Sequence, residues 1–399
     1  MHGLPVSQDA AQAWTRHAVL VVMLCFVLNM IDGMDVLVIA YVAPALQREW
    51  SASAAEFAFA FSAGLAGMAL GGLGLAPLAD RFGRRRMVLV SVAVMALAML
   101  ASSTAHSVAE LAGYRFVVGA GIGTVLACIA AIAARVAPER HRNFAVGVLQ
   151  AGYPIGAMIS GFATAWALPR FGWQAVMIAT AALGALCLPL VLAILSARVP
   201  GAAAGRRASL AEIVAGERRT SSLLLWAATT CGFMALYFIT SWITRLAVEA
   251  GLPETQAIIA SAVYNFGAFS GTVGMSVAGT RFDVRRISCV LLALAAGVFL
   301  FFGGVRLPLA GVLATAYVMG IALQGGFNAL YPIAARVYPD EVRATGIGWA
   351  MGIGRIGAFA GPLIGGWALA AHLPLVGVFG IFCVPLLVAA LAVRRIRFT

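Results

Sequence analysis

The sequence contains no lysine: all 27 of its basic residues are arginine, set against only 15 acidic residues. Charged residues make up 11% of the chain, where soluble domains carry roughly one quarter. No polar stretch is long enough to form a separate soluble domain, which excludes a receptor with a globular output module and a soluble enzyme on an anchor. Cysteines are few and scattered (Cys25, Cys128, Cys187, Cys231, Cys289, Cys383), with no CxxC pair, so neither a disulfide framework nor a zinc site is expected. An HExxH helix, a nucleophile set beside a base and a phosphate-binding loop are all missing, so enzymatic catalysis and ATP drive lack their residues. Neither metal nor cofactor is expected. The histidines (His2, His17, His106, His141, His372) fall in loops and at the N-terminal end and receive no metal role.

What is present is apolar sequence, 62% of the chain, with a mean hydropathy of +0.96. A bilayer span needs about 20 predominantly apolar residues, and twelve such runs fit: 18–44, 55–79, 87–104, 108–134, 144–168, 173–195, 221–247, 256–279, 287–305, 308–335, 344–370 and 373–393. They are too long and too uniformly apolar for barrel strands, and hydrocarbon offers backbone amides no partner, so the spacing predicts an all-α integral membrane protein. The formal charge of +12 reports topology and not a nucleic-acid partner. Twenty-one arginines lie at the termini and in the loops after even-numbered spans, whereas four (Arg48, Arg170, Arg245, Arg306) lie in or beside the other loops. Positive residues collect on the cytoplasmic side, so both termini are expected there, in a cell inner membrane. The first span, starting near Ala18, reads as an uncleaved anchor.

The most polar stretch, 196–220, falls near the midpoint and reads as a cytoplasmic linker between six-helix halves at 1–195 and 221–399. An internal repeat supports the division: Ala133-Ala134-Arg135-Val136-Ala137-Pro138-Glu139 returns 201 residues later as Ala334-Ala335-Arg336-Val337-Tyr338-Pro339-Asp340. Residues common to both halves read as scaffold. Polar differences mark specialisation, and at the same offset Arg355 corresponds to Pro154 and Arg115 to Ala316.

Between spans 2 and 3 stands Pro77-Leu78-Ala79-Asp80-Arg81-Phe82-Gly83-Arg84-Arg85-Arg86. Gly83 permits a tight turn, and Asp80 can accept hydrogen bonds from a helix end or an arginine. The decapeptide resembles the major facilitator signature GxLaDrxGRrr, with Ala76 in place of the first glycine. Arg115-Phe116-Val117-Val118-Gly119-Ala120-Gly121-Ile122-Gly123 resembles the family's RxxxGxGxG pattern. Asp32-Gly33-Met34-Asp35 in span 1, with Arg343-Ala344-Thr345-Gly346-Ile347-Gly348 leading to Gly354-Arg355-Ile356-Gly357 in span 11, is similar to the aromatic acid:proton symporters of that superfamily. The resemblance implies a twelve-helix fold in two halves, alternating access, and a gating role for Asp80, Arg81, Gly83 and Arg84. It also implies uptake of an aromatic acid or similar small organic anion with protons. A proton-driven exporter of drugs or organic acids is the alternative. Antiporters of the family carry a Gly-Pro pattern in span 5, which here reads Gly152-Tyr153-Pro154-Ile155-Gly156 and leans towards symport.

Four charges lie well inside spans: Asp32, Asp35, Arg115 and Arg355. Each is expensive in hydrocarbon and is a functional candidate by default. Asp32 and Asp35, three apart, share a helix face, and two carboxylates that close resist joint ionisation, as suits a proton carrier. Arg115 is expected at a similar depth, as their partner. Arg355 sits roughly 16 Å into its span, near the midplane, where a guanidinium fork suits a ligand carboxylate. Asn29, Gln150, Tyr153, Tyr264, Asn265, Gln324 and Asn328 are the further candidates for contacting the substrate, beside Tyr237, Trp242 and Trp349. Protons, a small organic anion and the bilayer are the expected partners, and a single copy of the chain is expected to suffice.

Overall fold

A computed structural model describes residues 14–195, 210–214, 216, 218–339 and 342–398. Most of the 196–220 linker, His2, Arg198, Arg206, Arg207, Glu217 and Asp340 therefore lie outside the described residues. The described chain is helical throughout. In order, the helices are α1 (Arg16–Glu49), α2 (Ala54–Leu70), α3 (Ala79–Phe82), α4 (Arg84–Ser102), α5 (Val108–Val136), α6 (Arg142–Ile194) and α7 (Leu210–Ile213). Then come α8 (Arg218–Glu249), α9 (Glu254–Ala278), α10 (Val284–Gly304), α11 (Leu309–Asn328), α12 (Leu330–Val337), α13 (Arg343–Ala370) and α14 (Leu375–Arg395). Among the described residues eleven helical segments, against the twelve spans expected, are long and apolar enough to cross a membrane, by length and composition; the expected spans 144–168 and 173–195 fall in the single segment that contains α6.

Local chemistry explains where the helices begin and break. Thr15 caps α1 by accepting from the Ala18 amide at 3.1 Å, and Ser53 with Glu56 closes a capping box on α2. Span 2 unwinds at its far end: Gly71-Gly72-Leu73-Gly74-Leu75 forms a π turn and Ala76–Leu78 a 3₁₀ turn before α3. Three glycines in five residues lower the helical preference there. Gly83 then takes φ 89° and ψ 136°, a backbone region that side chains avoid, to start α4 at a sharp corner. The longest helix, α6, has 53 residues and contains Gly172 at φ 78° and ψ 172°, outside helical geometry, near its middle.

One packing pattern occurs twice. In the first part of the chain α1 packs on α6, α2 on α5 and α4 on α6; in the second, α8 packs on α13, α9 on α11 and α10 on α14. The two sets meet through α6 against α9, α2 against α13 and α1 against α8. Chain ends and helix ends divide between two faces. Trp14 meets His141, Arg85 donates to the Leu192 carbonyl at 2.8 Å and Ser221 to the Arg397 carbonyl at 3.0 Å, which gathers the first and last described residues on one face, here called the terminal face. Opposite lie Glu49, Trp50, Trp173, Arg48 and Glu254. Large apolar side chains such as Leu97, Leu186, Trp367 and Val384 point outward, exposed by 60% or more, on a bundle whose interior is also apolar. A protein apolar inside and out has lipid as its solvent.

Candidate functional site

A cavity lies at the meeting of the two sets of helices, lined by residues of α1, α6, α8, α9, α11 and α13. All eight residues singled out as substrate contacts line it: Asn29 on α1, Gln150 and Tyr153 on α6, Tyr264 and Asn265 on α9, Gln324 and Asn328 on α11, and Arg355 on α13. Asn29 and Arg355 stand roughly 20 and 18 Å along their helices from the terminal face, so they face one another at one depth. Gly33 makes this wall possible, because a Cβ there would strike the backbone carbonyl of Tyr153, so α1 and α6 touch along the glycine.

Three residues of this cavity wall carry an orphaned polar atom: Asn29, Arg355 and Tyr264, whose buried hydroxyl has no partner. The Asn29 amide nitrogen donates to the Leu149 carbonyl at 2.7 Å. A carbonyl can only accept, so the orientation of the amide is settled and its Oδ1, buried, is left without a donor. Nη1 of Arg355 is also buried without a partner. Its guanidinium lies 5.6 Å from the centre of the Phe233 ring, which stacks in turn with Tyr237 at 5.8 Å and tilts against Phe327 at 4.5 Å. Among the described residues no carboxylate pairs with Arg355. On α11, Gln324 donates to Asn328 at 3.2 Å, and Asn328 donates to Thr272 at 2.8 Å. Sequence reasoning missed Phe233, Thr272, Phe327 and Tyr331. Tyr331 had a readable signal: with Gln324 and Asn328 it forms an i, i+4, i+7 stripe that continues into α12.

The cavity reaches down to Tyr331, 38% exposed near the terminal face. Towards the other face it is shut. Phe61 meets Trp242 edge-on at 5.2 Å, the Trp242 indole donates to the Pro362 carbonyl at 3.0 Å, Ser62 donates to the Phe359 carbonyl at 3.0 Å, and Arg48 pairs with Glu254. Met68, Tyr237 and Thr240 line both the main cavity and a second one of about 420 Å³ above it, so they form the partition. The Arg48 side chain is 58% exposed, and exposed pairs contribute about 0.2–1 kcal/mol, whereas truncating a buried tryptophan costs about 3–5 kcal/mol. Arg48→Ala is therefore expected to keep the rate of exchange across proteoliposomes within about fivefold of the parent. Trp242→Ala should lower it more than tenfold; the reverse ranking would place the closure on the ion pair.

The acidic pair is elsewhere. Asp32 and Asp35 line a third cavity, of about 290 Å³, between α1, α4 and the second part of α6. They are 1% and 3% exposed, and Oδ2 of Asp32 and Oδ1 of Asp35 have no hydrogen-bond partner. The expected pairing with Arg115 is looser than an ion pair. Asp35 feels the Arg115 charge, yet no nitrogen–oxygen approach within 4 Å joins them. Arg115 instead lines the second cavity, with Tyr237 and Thr240, and leaves a buried Nη1 unpartnered.

In the loop between α2 and α4, Asp80 pairs with Arg84 at 3.8 Å, Arg81 stacks over Phe82, and Gly83 makes the corner. The corresponding place in the second part is built differently. Asp283 caps α10, accepting from the Arg285 amide at 2.9 Å, and the hydrogen bonds and charge of the Arg285 side chain hold its carboxyl below the usual aspartate range.

A lipid-solvated helical bundle with a polar cavity between its two sets of helices, shut towards one face, has the form of a membrane carrier. The chain belongs to the Major Facilitator Superfamily, whose model matches residues 25–331. It is 31% identical to a gallate transporter of Pseudomonas putida over 96% of this chain and 92% of that protein. To a 4-hydroxybenzoate transporter of Pseudomonas aeruginosa it is 32% identical, over 86% of this chain and 85% of that one. Among solved structures, a bacterial homologue of the human lysosomal transporter Spinster, in an inward-facing and occupied conformation, superposes with a TM-score of 0.80 at 18% identity, covering 96% of this chain and 97% of the other.

Proposed function

We propose that the protein is a secondary active transporter that takes up hydroxy-substituted aromatic carboxylates together with protons. The observation that carries the reading is the unpartnered Arg355 guanidinium on a wall of aromatic rings, in a chain whose relatives are named for gallate and 4-hydroxybenzoate. The carboxylate would take the Arg355 fork, the ring would rest among Phe233, Tyr237 and Phe327, and a ring hydroxyl would donate to Asn29 Oδ1 across the cavity. Gln150, Tyr153, Tyr264, Asn265, Gln324 and Asn328 complete the polar lining. Asp32 and Asp35 carry the proton, with Arg115 as their electrostatic partner. Asp80, Arg81, Gly83 and Arg84 gate the terminal face.

In this reading Gly172 divides α6 into two crossings, which makes twelve in two six-helix halves joined by the 196–220 linker. The arginine distribution places both termini in the cytoplasm of a bacterial-type inner membrane, and one copy of the chain suffices. The cavity, open towards the terminal face, is then inward-facing. The test is uptake of labelled gallate, 4-hydroxybenzoate, benzoate and xylose into proteoliposomes carrying a proton gradient. Accumulation of the aromatic acids, abolished by a protonophore, is expected; no accumulation of any of them, or accumulation indifferent to the protonophore, would sink the reading. Asn29→Leu should weaken 4-hydroxybenzoate binding by about tenfold, the worth of one buried hydrogen bond. Benzoate, which has no hydroxyl to donate, should be affected less than twofold; equal losses for the two acids would remove Asn29 from the hydroxyl-reading role.

A further inference from the structure

Three cavities border α1: Asn29 of the central cavity and Val36 and Ala40 of the second share one face of the helix, and the third cavity uses another. Asn29 lines the central cavity, whereas Leu28, Ile31, Asp32 and Asp35 form an i, i+3, i+4, i+7 stripe on the third cavity. At about 100° per residue the centre of that stripe lies roughly a third of a turn from Asn29. Neither carboxylate lines the central cavity. The third cavity is lined also by Met95 and Met99 of α4 and by Gly184 and Cys187 of α6. Two carboxylate oxygens in it are buried and unpartnered, and a buried polar atom without a protein partner calls for an ion or a water. A water requires two or more polar partners and space for one molecule; the paired carboxylates supply the first, and the cavity has room for about one.

From this we infer that Asp32 and Asp35 hold water in a compartment of their own, so that protons reach the acidic pair from the α4 and α6 side without entering the substrate cavity. α1 is the wall between the two compartments. The wall is thin, because Gly33 lets the backbone of Tyr153, a residue of the central cavity, press on α1 next to Asp32. Proton binding therefore communicates with the substrate through movement of α1 against α6, and the ligand need not touch either carboxylate. The coupling half of this inference rests on the proton-driven reading above; the presence of water does not.

Hydroxyl-radical footprinting of the purified full-length protein tests it, because radicals generated from bound water label the side chains beside that water. Met95 and Met99 are 3% and 1% exposed, as deeply buried as Met177 and Met319 at 0%, which line none of the three cavities. Met95 and Met99 are expected to be oxidised at least tenfold faster than Met177 and Met319. Equal, slow rates for all four would overturn the water compartment whatever the protein transports. A Cβ on Gly184 would meet Ala96 at 3.8 Å and Ile31 at 3.9 Å, ordinary contacts, so Gly184→Ala fits without displacement and Gly184→Val projects into the cavity. Gly184→Val should bring the two methionines down to the Met177 rate and reduce gradient-driven accumulation at least tenfold, with gradient-free exchange within twofold of the parent. A filled cavity with undiminished accumulation would overturn the separate proton route. If Gly184→Val does not fold, the parent footprint and Gly184→Ala, expected to give an intermediate rate for Met95, decide the matter.

Discussion

Arg355→Ala is expected to abolish binding of aromatic carboxylates while leaving the purified protein as stable as the parent. The guanidinium is unpaired with any carboxylate among the described residues, so removing it strands no buried anion. Its loss deprives a bound carboxylate of its one cationic partner in this cavity, and truncating one side of a buried charge pair costs about 2–5 kcal/mol, thirtyfold or more in affinity. Arg355→Lys keeps the charge without the planar fork and should bind with intermediate affinity. Ligand binding and melting temperature measured together separate this from a structural role. A well-folded Arg355→Ala with unaltered carboxylate affinity would end the clamp. A destabilised one, rescued by Asp32→Asn or Asp35→Asn, would place Arg355 in an ion pair with α1. The separate cavities argue for the opposite result, that losses from Arg355→Ala and Asp32→Asn add.

Asp32→Asn and Asp35→Asn should each abolish accumulation against a gradient while exchange of labelled for unlabelled substrate persists in at least one. The size of the effect follows from the coupling. One monovalent anion carried with one proton moves no net charge, so each unit of pH difference, about 1.36 kcal/mol, concentrates the substrate about tenfold. A second proton makes transport electrogenic, and each 100 mV then adds about 2.3 kcal/mol, roughly fiftyfold. Without a proton carrier the ratio falls to unity, and the ratio in the parent at fixed pH difference and varied potential reports whether one or both carboxylates load. Two variants that concentrate substrate like the parent would remove the acidic pair from coupling.

Some of this protein could be read from its sequence. Apolar runs longer than the bilayer is thick leave the backbone no option but helix, so most helices end within about five residues of the spacing that predicts them, although the runs expected at 144–168 and 173–195 form the single helix α6 and α2 ends at Leu70 instead of near residue 79. Gly83 marked a corner, because φ near 90° is open to little but glycine. Charges in a membrane are costly enough that Asp32, Asp35, Arg115 and Arg355 stood out without any structure, and the midspan amides and tyrosines proved to share one cavity with Arg355. Which of these groups face one another was a tertiary matter. Asp32 and Arg355 lie in spans of similar depth, but a rotation of a third of a turn about the α1 axis puts the carboxylates in a different compartment from the guanidinium, and hydropathy carries no information about that rotation. The looseness of Asp35 and Arg115, the partition formed by Met68, Tyr237 and Thr240, and the aromatic bed under Arg355 likewise depend on how helices distant in sequence pack. Apolar and small residues look alike in a sequence whether they face lipid, a neighbour or a cavity, and only packing distinguishes the three.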